Sequence, residues 1–422
     1  MLRKEFSFLL VLSFVFLMVG CSSTSQSSSG GKDSDGKVTV TLWYWNRSLD
    51  DNLLAKAKEQ FPNINLVAQK IDGNSYETKV DAALAAGGSG APDIVGMNGA
   101  ARYIPHADQF VNLLDLGASD IKNQYLDWKW NYAVTPDNKK LIALPIDIGP
   151  TALFYREDIF KKAGLPTDPA EVSAQLTTWE DYIEAGEKVK AATGVKMFDS
   201  INRVFTQYLG QSDSVYFDKS EKFIGDGGNV KKAWDIAWKV NEKGLSANLV
   251  DGTEWNASMN NGEIASFIGA VWMKKVLEDA APDTAGKWRI ARAPGGDGNH
   301  GGSFLGIPKS SKHPKEAYKV ISWLMNPKNQ LQSYKTMDLF PSTPSVYSDP
   351  IMSSKEEFFG NQNTTEIFSQ AAKNVKPLYF GANYDTVNSL FSDQLTNVAN
   401  QNLDSEKAWN DVQKQVEKKL SR

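Results

Sequence analysis

The chain has 422 residues, with 46 Lys and Arg against 50 Asp and Glu, a formal net charge of −4; with no basic stripe along it, that balance argues against nucleic acid as a partner. A single cysteine, Cys21, excludes internal disulfides and cysteine-ligated zinc and leaves the body behind it without a thiol nucleophile. With 41% hydrophobic and 11% aromatic residues, the chain can bury a large core, and its length predicts two domains or more.

The first residues fall into three parts. Arg3 and Lys4 precede an apolar run from Phe6 to Val19, broken only by Ser7 and Ser13, and small Gly20 precedes Cys21. That layout predicts a secretory signal over residues 1–20, because the run is shorter than the ~20 residues a membrane span needs. Met18-Val19-Gly20-Cys21 resembles the lipobox of bacterial lipoproteins, with Met18 where Leu is usual. The resemblance implies a diacylglyceryl group on the Cys21 thiol and often an acylated new N-terminus. Two or more acyl chains anchor stably, so the expected location is the outer face of the cytoplasmic membrane of a Gram-positive cell. Residues 21–36 then read as the lipidated cysteine and a flexible tether, since 22–36 hold no apolar residue.

Residues 38–44 alternate β-branched and aromatic side chains, as a first strand should, and lead into Trp45-Asn46-Arg47. A helix over 51–60, a strand over 64–71, a helix over 76–86 and a buried strand over 92–97 follow. This β-α-β-α-β order predicts a parallel sheet with helices on both faces. Ligands bind beyond the carboxyl ends of such strands, where loops 43–47, 72–76 and 98–102 should converge. Residues 143–150 (ALPIDIGP) hold two prolines and a glycine and read as a crossing to a second α/β region. That region should open with a strand over 151–155 and continue with helices over 157–163, 179–192 (Thr177 and Glu180 as a capping box) and 230–243. Residues 303–308 read as a second crossing, followed by a helix over 314–325. A last helix over 405–420 puts Ala408, Trp409, Val412, Val416 and Leu420 on one face and should pack against a lobe.

The motifs of common enzymes are missing. Three histidines (His106, His300, His313) without HExxH argue against a zinc hydrolase and read as surface residues, and no metal site or cofactor is expected. Gly295–Gly302 has no Lys-Ser or Lys-Thr after it and reads as a loop; Ser303 has no G-x-S-x-G elbow around it. Residues 32–36 (KDSDG) lack the closing Glu of a calcium loop. Two facing carboxylates would suffice for a glycosidase, and Asp147, between apolar neighbours at the inferred crossing, is the best ligand-facing candidate. Its alternative role is a hinge salt bridge.

Tryptophan is the most informative residue. Sugar sites pair aromatic platforms with polar side chains that bond the hydroxyl rim. Trp43, Trp45, Trp255 and Trp272 lie at strand ends or in polar surroundings and are candidates for such platforms; Trp234, Trp238, Trp323 and Trp409 sit at helical spacings and read as core.

Trp43-Tyr44-Trp45-Asn46, Ala91-Pro92-Asp93-Ile94, Ala143-Leu144-Pro145, Leu153-Phe154-Tyr155-Arg156, residues 160–166 (FKKAGLP) and Thr177-Thr178-Trp179-Glu180 occur in this order. Together with the lipobox, they resemble the sugar-binding lipoproteins of bacterial ABC importers, the solute-binding family that includes maltose-binding protein. The resemblance implies an α/β, two-lobed periplasmic-binding-protein fold with three interdomain crossings and the ligand in the cleft. One lobe would comprise 37–147 plus about 303–348, the other about 148–302 plus 349–422. It further implies ligand contacts from Trp45, Asn46, Asn98, Asp147, Trp272, Gly302, Tyr384 and Asp385, with Trp43, Tyr76, Arg102, Tyr208, Trp255 and Phe340 as further candidates. The implied partners are a carbohydrate, ABC permease subunits with a cytoplasmic ATPase and, through the lipid, the membrane; the expected state is a monomer and no catalysis is implied.

The leading expectation is non-covalent capture of an oligosaccharide, glucose-based by expectation, between closing lobes. The competing readings are an anchored glycosidase and a sensor that presents its loaded form to a membrane receptor kinase.

Overall fold

A computed structural model describes residues 36–87, 90–401 and 403–421. The signal, Cys21, the tether up to residue 35 and most of the 32–36 loop lie outside the described residues. In chain order the strands are β1 (Val38–Trp45), β2 (Ile64–Ile71), β3 (Ile94–Met97), β4 (Ala143–Pro145), β5 (Asp147–Ile148), β6 (Thr151–Arg156), β7 (Ser266–Ala270), β8 (Trp288–Ala291), β9 (Phe304–Gly306) and β10 (Phe340–Pro341).

Alternation in β1 buries Val40, Leu42 and Tyr44, and β2 pairs with it in parallel along its whole length, from Val38↔Ile64 to Trp45↔Ile71. On the other side β3 pairs in parallel and is buried on both faces, as a strand covered by helices must be. The helix Asp51–Gln60, capped by the Asp50 carboxylate accepting from the Asn52 N–H, buries Leu53, Leu54 and Ala57. The helix Pro314–Leu324 adds Ala317, Val320, Ile321 and Leu324 to the same core. The sheet order is β2-β1-β3-β9-β4. The returning strand β9 therefore does not extend an edge but fills the space between β3 and β4, antiparallel to both.

The second lobe is built on β6, every residue of which is buried. Its neighbours β7 and β8 are both antiparallel to it, so this sheet avoids the handed crossovers that a parallel one needs. The period-two geometry of a strand sends alternate side chains to opposite faces. Leu153 and Tyr155 enter one core with the helices Trp179–Thr193, Ile201–Gly210 and Gly228–Glu242 and the C-terminal helix Ser405–Leu420; Ala152 and Phe154 enter another. In that second core Phe154 stacks on Phe267 at 4.6 Å. Trp234 and Trp409 meet edge to face at 5.6 Å. No helix among the described residues is long and apolar enough to cross a membrane.

The capping box of the helix Trp179–Thr193 sits one residue later than expected. The Asp181 N–H donates to Thr178 Oγ1 (3.1 Å) and the Thr178 N–H to Asp181 Oδ2 (2.9 Å), because the shorter Asp side chain reaches back from N3 as well as Glu does. Thr178→Ala is expected to cost about 1 kcal/mol in a denaturation midpoint.

The crossings lie side by side. Ile146 N–H donates to Ser303 O (2.8 Å), His300 N–H to Gly149 O (2.8 Å) and Thr151 N–H to Gly298 O (3.0 Å), while Ser303 N–H donates to Asp147 Oδ1 (2.7 Å). β10 pairs antiparallel with β5 in a separate two-stranded sheet. The short helix Asp127–Asn131 belongs to both bodies: Trp130 joins the core of the first sheet, whereas Leu126 and Trp128 join the core beneath Phe154. Trp128 Nε1–H donates to Ala372 O at 2.8 Å, and just before the helix Tyr125 Oη–H donates to Met325 O at 2.9 Å.

Candidate ligand cleft

A cavity of about 340 Å³ opens between the lobes, within the ~300–1,000 Å³ of small-molecule sites. The first lobe contributes Asn98 to Arg102, directly after β3, with Tyr132 and Phe304; Gly99 turns the loop at φ +90°. The second contributes Thr206, Leu209 and Gly210 from the end of one helix, Asn299 to Gly302 from the second crossing, and Phe380, Tyr384, Asp385 and Asn388. Tyr384 opens the helix Tyr384–Gln401, so Asp385 and Asn388 occupy its first turns.

An aromatic wall runs from one lobe to the other. Tyr132 meets Phe380 edge to face at 5.1 Å, and Phe380 meets Tyr384 in the same way at 4.9 Å. Burial holds the Tyr132 and Tyr384 phenols well above their ordinary range, so both are neutral hydroxyls that donate and accept. His300 lines the cavity and is exposed to it. Enclosure by protein, and next the Arg203 guanidinium, hold it below the usual histidine range, and Nδ1 sits 3.4 Å from Gln207 Nε2. With Asn98, Thr206, Asn299 and Asp385, the lining offers neutral donors and acceptors around an apolar face, with Asp385 as its carboxylate.

Of the residues expected from the sequence, Asn98, Arg102, Gly302, Tyr384 and Asp385 line this cavity. Arg102 is held from behind by Glu77 and by Asp81 at 2.7 Å. Asp147 does not line it; 9% exposed, its carboxylate accepts from the Ser303 N–H of the second crossing. Trp272 is half-buried beside the second crossing, with Nε1–H directed at His300 O (3.4 Å) and its ring edge to face with that of His300 at 5.9 Å. Trp43 and Trp45 are half-buried at the end of β1, under Lys79 (4.4 Å) and against Tyr76 (4.8 Å) respectively, and Asn46 is exposed beyond them. Tyr208 lines a separate cavity of about 540 Å³ with Trp179, Gln211, Asn229 and Lys232.

Three candidates are buried away from this cavity. Tyr76, 2% exposed, donates to Trp43 O (2.8 Å) and Gly96 O (3.0 Å), locking β1 to β3. Trp255, fully buried, donates from Nε1 to Asp199 Oδ2 at 3.1 Å. Phe340, 1% exposed, packs on Tyr334 and Tyr347. None leaves a surface for a ligand. Sequence reasoning missed Tyr132, Thr206, Asn299, His300, Phe304, Phe380 and Asn388. The aromatic run in Trp128-Lys129-Trp130-Asn131-Tyr132 and the Leu378-Tyr379-Phe380 segment just before Tyr384 were the available signals. Among the described residues no group of three His, Cys, Asp or Glu is placed to hold a metal ion.

Comparison with known proteins points the same way. The family described as bacterial extracellular solute-binding protein matches residues 46–331. The chain is 26% identical to an arabinooligosaccharide-binding protein of Bacillus subtilis (strain 168), over 92% of this chain and 93% of that one. It resembles the crystal structure of an extracellular solute-binding protein family 1 member with a TM-score of 0.87 and 31% identity, over 90% and 99% of the two chains. An ABC-transporter-associated binding protein from B. animalis subsp. lactis Bl-04, solved with β-1,6-galactobiose, aligns with a TM-score of 0.70 and 25% identity over 90% and 96%. With the two-lobed fold and the cleft between its sheets, these matches establish that the chain belongs to the bacterial extracellular solute-binding protein family.

Proposed function

We propose that the chain captures an oligosaccharide in this cleft and delivers it to an ABC permease, without chemical change to the sugar. The observation that carries the reading is the aromatic wall Tyr132–Phe380–Tyr384 facing the polar groups of Asn98, Asn299 and His300. Sugar rings present apolar C–H faces and a hydroxyl rim, which such a wall stacks and such groups bond. The relatives named for arabinooligosaccharide and solved with β-1,6-galactobiose weigh toward arabinose or galactose units rather than the glucose oligomer first expected. A cavity with Asp385 as its carboxylate favours binding over hydrolysis, which takes two carboxylates flanking the bond. On this reading Asn98, Gly302, Tyr384 and Asp385 contact ligand alongside Tyr132, His300 and Phe380. The lobes divide near 147 and 303, and a lipid on Cys21 holds a monomer beside its permease.

A thermal-shift screen against arabino-, galacto- and gluco-oligosaccharides tests this. A ligand at 100 times its dissociation constant adds about 2.7 kcal/mol of stability. Phe380→Ala should weaken the best ligand by about tenfold, near 1.4 kcal/mol, in calorimetric titration. A screen in which no oligosaccharide raises the unfolding temperature sinks the proposal.

A further inference from the structure

Lys129 occupies the middle of the helix that both lobes share. Its side chain is fully buried, and its Nζ has no hydrogen-bond partner among the described residues. The amine lies 3.8 Å from the centroid of the Phe304 ring. Beside it is Gly302, where a Cβ would come within 2.7 Å of both Lys129 Nζ and the Asp147 carbonyl oxygen. The bare glycine thus leaves the room in which the amine reaches the place where the first and second crossings touch. Gly302 and Phe304 both line the ligand cavity, so the amine stands directly behind the cavity wall.

An ammonium stripped of water and hydrogen bonds is strongly disfavoured. What offsets that cost here is the Phe304 ring face and the charge of Asp147. Burial pushes Lys129 down to about 7, with Asp147 opposing. Burial likewise holds Asp147 above the usual carboxylate range, opposed by Lys129 and by the Ser303 N–H. Among the elements packed here, β9 faces the amine with Phe304 and the first crossing with Asp147. His300, on the second crossing, is coupled instead to Arg203 and Asp251.

We propose that Lys129 is a positioning residue for solute capture: its charge draws on Asp147 and, through the Asp147–Ser303 hydrogen bond, ties the first crossing to the second, so the hinge is stiff when the amine is protonated and slack when it is neutral. Burial lets the two charges attract across the gap between them more strongly than they would in water, and loss of the proton removes that attraction. Asp147 is then an uncompensated buried charge, which favours opening of the hinge to water and so takes the carboxylate away from the Ser303 N–H. The proposal rests on the two-lobed hinge fold and not on the identity of the sugar.

Amide hydrogen exchange of the full mature chain, without ligand, tests it between pH 6 and 9. The amides to read are Thr151, His300 and Ser303, whose partners are Gly298 O, Gly149 O and Asp147 Oδ1. Each rate is divided by its unstructured-chain rate, and Leu42 in β1 serves as control. In the wild-type chain protection of the three amides should fall through neutral pH by up to about tenfold per unit, while Leu42 stays constant. K129R, always charged, should keep them protected across the range, and K129M should leave them weakly protected throughout. Wild-type protection that is flat from pH 6 to 9, or a K129R chain that loses it in parallel with wild type, overturns the proposal. Should K129M fail to fold, the wild-type and K129R profiles still decide. A sugar screen without a hit leaves these rates unchanged, so the two readings fail separately.

Discussion

Gly149→Ala is expected to weaken sugar binding by tenfold or more and to destabilise the chain at the same time. A Cβ at this position would stand 2.0 Å from the His300 carbonyl oxygen and 3.3 Å from the Ala270 Cβ. The nearer partner is backbone, which cannot swing aside as a side-chain tip would. The two crossings must therefore separate, at a cost of about 1–3 kcal/mol for overpacking. The bonds from His300 N–H to Gly149 O (2.8 Å) and from Gly149 N–H to Asn299 Oδ1 (2.9 Å) would stretch with them, at about 1 kcal/mol each. Asn299 and His300 line the cavity, so the separation reaches the ligand. Denaturant midpoints and calorimetric titration against the best sugar of the screen check both effects. An alanine variant with wild-type midpoint and affinity would mean that the crossings part without consequence.

Trp255→Ala should have the opposite profile, a large loss of stability with binding by the folded fraction unchanged. The indole is fully buried and packs edge-on against Phe267 at 5.6 Å, so its removal is expected to cost about 3–5 kcal/mol. Part of that cost comes from Asp199, 2% exposed, which loses the Trp255 N–H and keeps Arg203 at 2.6 Å and the Ser200 N–H at 2.7 Å. Trp255→Phe, which keeps a ring and loses the donor, should fall between the two, at about 1–3 kcal/mol. If Trp255→Ala abolished sugar binding while the unfolding midpoint held, the indole would belong to the site after all.

These two residues mark where the sequence is legible and where it is not. Local pattern sufficed for β1, β2 and β3, because alternation and β-branching report a strand wherever it ends up, and the Asn98-Gly99 turn follows from the end of a buried strand. Gly302, Tyr384 and Asp385 reached the cleft because family order places them there. The tryptophans could not be sorted by sequence for a physical reason: a tryptophan in polar surroundings looks the same whether its indole N–H meets a ligand or a buried carboxylate, as that of Trp255 meets Asp199. One local signal did exist. Trp255 and Met259 are four apart and bury together on the helix Thr253–Asn261, the spacing of a core face. The wall that the cleft does have is made of Tyr132 and Phe380, which lie 248 positions apart in the chain and meet only through the fold. No window of sequence contains both.

The position of β9 between β3 and β4 governs how the chain reaches this structure. About 160 residues separate Pro145 at the end of β4 from Phe304 at the start of β9. At synthesis rates of about 5–20 residues per second, β3 and β4 wait on the order of 10–30 s for the strand that joins them. Until it arrives both present unpaired backbone edges, and the first sheet cannot close however well its local elements have formed. The three strands of the second sheet, β6, β7 and β8, are all made within that interval. Closure of the first sheet is thus deferred until Phe304 and the residues after it have been made.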